Sequence, residues 1–402
     1  MMAMAGVANP RMKGGVLPFD PWLVLCAACL MLTGFIMISS ASLEVASRNN
    51  GTPYFYMLRQ GIFILMALVG GLIVWRIPMA FWQQKGHWWM IGAAVLLVLV
   101  LIPGVGRGVN GSHRWLPLGP INLQASEVAK FCMVMYMGGY LVRRLKEVRT
   151  SWSGIAKPAL PLGIYVGLLY LEPDFGAVVV LTSTVMGMIF LGGMRFSQFI
   201  LVAGGAASLL ALVVGLQPYR VARLQSFMDP WKDPFGTGYQ LSQAQIAFGR
   251  GDWFGTGLGN SVQKLFYLPE AHTDFVYSVL AEEMGLIGAL VIILIYAVLV
   301  VRMFLIGRKA ESMRQFFMAY VTYGFSIIMA GQALINIGVN VGALPTKGLT
   351  LPLVSYGGSS LLVCVAMLAV ILRIDYELKR LQIGAAGDPD PQNDERESGK
   401  NG

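Results

Sequence analysis

The stretch Trp22-Leu-Val-Leu-Cys-Ala-Ala-Cys-Leu-Met-Leu-Thr-Gly-Phe-Ile-Met-Ile-Ser-Ser-Ala41 decides the fold class. No charged residue interrupts it. About 20 apolar residues in a helix reach roughly 30 Å, the thickness of bilayer hydrocarbon. Comparable runs follow near 60–77, 87–103, 126–142, 159–171, 176–193, 198–216, 276–305, 315–342 and 351–373. The pattern predicts an all-α polytopic integral membrane protein with about ten transmembrane helices. One long extracytoplasmic loop, residues 217–275, lies between helices 7 and 8.

Bulk composition agrees. The 402 residues are 56% hydrophobic and 13% charged, against about 25% charged for a soluble domain. Mean hydropathy is +0.63. The net charge of +9 does not point to nucleic acid, because the basic residues sit in short loops between apolar runs. Cys26, Cys29, Cys132 and Cys364 all lie inside apolar segments, which reads as membrane packing rather than a disulfide or redox centre. His87, His113 and His272 show no zinc-ligand spacing.

Charge orients the chain. Arg11 and Lys13 precede the first run, and Arg143, Arg144, Lys146, Arg149 and Lys157 cluster between the fourth and fifth. With both ends cytoplasmic, the inner segments carry most of the cations. The first run has signal-like flanks, yet its length and the runs beyond it read as an uncleaved helix. The fifth run is short, about 13 residues between Pro158 and Glu172. The expected layout is a cytoplasmic segment 1–21, a membrane domain 22–373, and a polar cytoplasmic tail 374–402 that reads as largely disordered. Within the long loop a helix is expected around Tyr239–Phe248.

Candidate chemistry gathers at the outer ends. His272-Thr273-Asp274 stands where the eighth run begins. An aspartate there either caps the helix and complements its dipole, or serves as a general base or cation ligand. Glu282 and Glu283 follow inside the same run. On an ideal helix Glu282 falls about 80° around from Asp274 and roughly 12 Å deeper, with Glu283 opposite. Buried acids at that depth need partners. Glu127 and Lys130 are helical neighbours, so they read either as a neutralising pair or as a polar cavity wall. Arg107, Arg114, Arg220, Arg223 and Lys347 are outer cations, suited to headgroups or to a phosphate ligand. Ser355-Tyr-Gly-Gly-Ser-Ser360 reads either as close helix packing or as amide donors beside an anion, with Ser355, Tyr356 and Ser359 as candidates. Gly255-Thr-Gly-Leu-Gly-Asn260 lacks the strand–turn–helix context of a dinucleotide site.

Together these motifs resemble a known family. Leu268-Pro-Glu-Ala-His-Thr-Asp-Phe275 with Ala281-Glu-Glu-Met-Gly285 is similar to the SEDS family of shape, elongation, division and sporulation proteins. So are Gln124-Ala-Ser-Glu-Val-Ala-Lys130, Gly111-Ser-His-Arg-Trp115 and Ser355–Ser360. Gly259-Asn-Ser-Val-Gln-Lys264 and Pro345-Thr-Lys-Gly-Leu-Thr-Leu-Pro352 resemble its cell-division branch more than its elongation branch. One departure is Ala125, where the family pattern has proline.

The resemblance implies a peptidoglycan glycosyltransferase that polymerises lipid II at the outer face of the bacterial cytoplasmic membrane, at the division site. It makes Asp274 the catalytic carboxylate and places Glu127, Lys130 and Arg114 on a central cavity. It also implies a divalent cation, magnesium or manganese, with Asp274 as a candidate ligand. The implied partners are a class B penicillin-binding protein, an FtsI-like transpeptidase, and other division-complex membrane proteins. The implied substrates are lipid II and glycan linked to undecaprenyl pyrophosphate. The rival expectations are a lipid II flippase, which needs midplane ionisable groups, and a division-complex scaffold, which needs no Asp274 carboxylate.

Overall fold

Asp20 caps the first helix: its carboxylate accepts the Leu23 amide at 3.0 Å, and Pro21 takes the first helical position. That helix, α1, runs Pro21–Asn50 and stops at Gly51 in the left-handed region. The computed structural model describes residues 19–109, 112–119, 121–215, 221, 224, 226–346 and 348–386. Arg220, Arg223, Lys347 and the tail beyond residue 386 lie outside these.

Helices α2 (Phe55–Arg76), α3 (Met79–Leu101), α4 (Ala125–Thr150), α5 (Ser153–Leu171), α6 (Phe175–Leu191) and α7 (Phe196–Gly215) follow. After them come α8 (Tyr239–Gly251), α9 (Val276–Ser312), α10 (Phe316–Asn340) and α11 (Gly358–Ala386). Each expected apolar run overlaps one of these helices, although the last, 351–373, begins in the turn before α11, and α8 covers the helix expected around Tyr239–Phe248. Among the described residues, α1, α2, α3, α5, α9 and α10 are long and apolar enough to cross a bilayer. The chain is therefore a polytopic helical membrane protein. α5 is longer than the expected fifth run, beginning at Ser153 and carrying Pro158 and Pro161 inside it. Neighbouring helices tolerate such prolines in membrane spans.

Burial sorts the helices. The apolar window of α10 is 72% buried, against 22% for α2 and α3. α10 is the central post, packed against α4, α6 and α9, while α2 and α3 face outward. Ion pairs join Arg302 of α9 to Asp20 and Lys309 of α9 to Asp375 of α11 at 3.8 Å, and Arg373 pairs with Glu377 within α11 at 2.7 Å.

The segment between α3 and α4 departs from the all-α expectation. It forms a three-stranded antiparallel sheet of β1 (Arg107–Val109), β2 (Ser112–Leu118) and β3 (Ile121–Gln124). Trp115 pairs with Gln124 and Leu118 with Ile121. Gly119, at φ 68°, allows the tight turn that long-run hydropathy cannot reveal. α4 starts directly at Ala125, with no side-chain cap from Gln124.

Candidate active site

The long α9 is broken at Gly285, where φ is 70° and ψ −173°. The break releases backbone groups, and the loop after α8 takes them up. Thr256 donates its amide to the Glu282 carbonyl at 2.9 Å, and Gly257 donates to that of Glu283 at 3.0 Å. Leu286 and Ile287 donate to the carbonyls of Asp252 and Trp253. The backbones are so close that a Cβ on Gly285 would stand 2.4 Å from the Gly255 nitrogen. This lacing lies roughly 10 Å along α9 from its start. α8 and its loop thus descend beside α9, and irregular backbone at such depth needs protein partners.

That explains the two acids inside an apolar helix. Glu282 accepts from the Val262 amide at 3.1 Å and the Gln263 amide at 3.3 Å, and pairs with Arg250 at 3.0 Å. The Ser261 hydroxyl donates to it at 2.5 Å. Glu283 pairs with Lys264 at 2.7 Å and accepts from Ser40 of α1 at 2.7 Å. Both acids are buried and engaged in holding the loop. Asp274 precedes α9, so the ideal-helix relation between it and these acids does not apply.

Asp274 is placed by its neighbours. The N-cap position of α9 is Phe275, so Asp274 is not the capping residue. Its carbonyl accepts from Asn336 and Asn340 of α10, each at 2.9 Å. Asn340 also accepts from the Ser278 hydroxyl at 2.7 Å, and Asn336 donates to the Leu349 carbonyl at 2.6 Å. One Asp274 carboxylate oxygen lies 3.3 Å from where a Cβ on Gly348 would stand, so glycine there leaves the acid room. Asn336 and Asn340 were missed in the sequence. Their signal was two amides one helical turn apart in an apolar run, a costly feature in a membrane.

The His272 carbonyl accepts the Tyr356 amide at 3.0 Å, joining the acid's loop to the start of α11. Burial lowers the His272 pKa, with Glu270 pulling weakly the other way, so the imidazole is neutral. Thr273 donates to the Glu270 carboxylate at 2.7 Å. The Ser355 hydroxyl accepts the Leu351 amide at 2.8 Å, and its own amide donates to the Leu351 carbonyl at 3.0 Å. Ser359 accepts the Gln124 amide at 3.0 Å and donates to the Asn122 carbonyl. The amides of Ser355 and Tyr356 are thus spent within the protein rather than offered to an anion.

Glu127 and Lys130 form an ion pair at 2.8 Å, with Lys130 fully buried and Glu127 3% exposed. The second Glu127 oxygen has no partner among the described residues. Arg114 donates to the carbonyls of Glu172, at 3.2 Å, and Pro173, tying β2 to the α5–α6 turn. Arg107 is exposed at the start of β1. Asp174, in that turn, accepts from Ser126 at 2.9 Å and Gln124 at 3.3 Å.

No three His, Cys, Asp or Glu side chains gather around a metal position among the described residues. A protein cage for a divalent ion is therefore not what Asp274 offers. Magnesium is commonly held by one or two carboxylates plus substrate phosphates, and a single carboxylate fits that arrangement.

The model of the cell cycle protein family of FtsW, RodA and SpoVE matches residues 21–380. A probable peptidoglycan glycosyltransferase FtsW of Halomonas elongata is 52% identical, over 90% of this chain and 91% of that protein. One so named from Pseudomonas fluorescens is 52% identical, over 94% and 92%. Among solved structures, a chain from a peptidoglycan synthase complex that coordinates polymerisation and crosslinking aligns with TM-score 0.75 and 28% identity, over 90% and 99%. The rod shape determining protein RodA of Thermus thermophilus aligns with TM-score 0.66 and 26% identity, over 89% and 97%. A match along nearly the whole membrane domain places the chain in the FtsW/RodA/SpoVE family of cell cycle proteins, the SEDS family its motifs resemble.

Proposed function

We propose that this protein is the cell-division peptidoglycan glycosyltransferase of its bacterium, polymerising lipid II into β-1,4 glycan at the outer face of the cytoplasmic membrane. The observation that carries the reading is Asp274, held at the outer end of α9 by Asn336 and Asn340. In this reading ten helices cross the membrane, both ends are cytoplasmic, and the sheet and the 217–275 loop face outward.

The donor glycan is α-linked to undecaprenyl pyrophosphate. The acceptor is the 4-hydroxyl of the N-acetylglucosamine of lipid II. One inverting displacement forms the β-linkage: the acceptor oxygen attacks the anomeric carbon and the bond to pyrophosphate breaks. Asp274 takes the hydroxyl proton, a role worth about 10²–10⁴-fold in rate. Charge builds on the departing pyrophosphate, and Arg107, Arg220, Arg223 and Lys347 are its candidate protein partners. A magnesium or manganese ion, when bound with Asp274 as ligand, would supply further charge neutralisation there. Lys130 is covered and paired, and Arg114 holds the α5–α6 turn, so both support the site's walls. The transporter reading loses its main support, because Glu282 and Glu283 are engaged by the loop beside them. The proposed partner is a class B, FtsI-like penicillin-binding protein at the division site.

The test is polymerisation of labelled lipid II by the protein with that partner, its transpeptidase blocked by a β-lactam and divalent cation supplied. Wild type makes glycan strands, while folded, partner-bound Asp274→Asn and Asp274→Ala make none. Polymerisation by both variants at the wild-type rate would remove Asp274 from the chemistry.

A further inference from the structure

An aromatic cluster sits on the same clasp as Asp274. Tyr56, at the outer start of α2, has its ring centroid 5.0 Å from His272 and 5.3 Å from Tyr356. His272 and Tyr356 are 5.8 Å apart. Phe63, buried, supports Tyr356 from behind at 6.0 Å. Tyr56, His272 and Tyr356 are each only half-buried. The Arg59 guanidinium lies over Phe55 and Phe63, 5.5 and 5.6 Å from their centroids.

The chemistry of this cluster is not that of a phosphate site. Its rings are those of two tyrosines and a histidine, and the nearby Arg59 guanidinium lies over Phe55 and Phe63 rather than over these three rings. Aromatic faces with polar edges, half open to the outside, suit a ligand with one apolar face and hydroxyls at its rim. A pyranose ring is such a ligand. The backbone places the cluster beside the Asp274 loop: His272 is two residues before Asp274, and its carbonyl accepts the Tyr356 amide.

We propose that Tyr56, His272 and Tyr356 form a platform for the N-acetylglucosamine ring of the acceptor lipid, presenting its hydroxyl to Asp274. The inference rests on the glycosyltransferase reading. The bland account is that these rings only pack the helix ends or anchor them at the membrane interface, where tyrosine is common.

The experiment uses the full chain with its partner and the variants Tyr56→Leu, Tyr356→Leu, Tyr56→Phe and Tyr356→Phe. Polymerisation gives KM for lipid II and kcat. Binding of lipid II, and of sugar-free undecaprenyl pyrophosphate, is measured in an Asp274→Asn background. The leucine variants should raise KM and weaken lipid II binding about tenfold. The phenylalanine variants should restore affinity, and undecaprenyl pyrophosphate should bind all of them alike. Leucine variants with wild-type KM and affinity would overturn the platform. So would an equal loss for the sugar-free lipid, which marks general damage. Should Asp274→Asn itself polymerise, the general-base reading falls while the two-ligand comparison still judges the platform.

Discussion

Glu172 in the α5–α6 turn is fully buried, and neither carboxyl oxygen has a hydrogen-bond partner among the described residues. Burial, and then the neighbouring Asp174, push its pKa from the ordinary 4.5 up to about 8, against the pull of Arg114. An acid raised in this way is protonated in the folded protein while ionised in the unfolded chain. Between those two values the folded state holds the extra proton, so stability falls as pH rises from about 4.5 to about 8. At about 1.36 kcal/mol per pH unit, the upper bound of that loss is roughly 5 kcal/mol. Glu172→Gln keeps the shape and removes the titration. The variant should match wild type near pH 5 and melt at clearly higher temperature near pH 8. Thermal unfolding of both proteins in the same detergent, across that range, reads the difference directly. Parallel curves with no widening gap would mean that Glu172 is hydrated or paired in the folded protein, and the argument from its isolation would fail.

Asn340→Ala removes the donor to the Asp274 carbonyl and the acceptor for Ser278. Loosening the acid should cut kcat by about 10- to 100-fold with little change in lipid II binding. Glu283→Gln leaves the Lys264 ammonium buried without its counter-charge and should cost about 3–5 kcal/mol. Adding Lys264→Met should recover a good part of that, and a double-mutant cycle of melting temperatures would show additivity if the pair were not coupled. Gly285→Ala forces a side chain into a backbone conformation open essentially to glycine, at about 1–3 kcal/mol, and into the Gly255 nitrogen. Protease accessibility of residues 252–264 should rise in that variant, and unchanged protection would refute the lacing.

The amino-acid sequence determined the membrane class, the placement of the apolar helices and the motif carrying Asp274. Those properties depend on local hydropathy and on short contiguous patterns. It also showed that Glu127 and Lys130 are neighbours, because three residues on one helix meet whatever surrounds them. Only the tertiary structure decided what the polar groups do. Hydropathy could not show that Glu282 and Glu283 serve a descending loop, because their partners Lys264, Arg250 and Ser40 come from distant segments. The sequence leaves Arg114 suited to a headgroup or a phosphate, whereas in the structure it donates to two carbonyls of the α5–α6 turn. The aromatic platform joins α2, the Asp274 loop and the start of α11. No spacing along the chain encodes that meeting, which follows from how the helices pack.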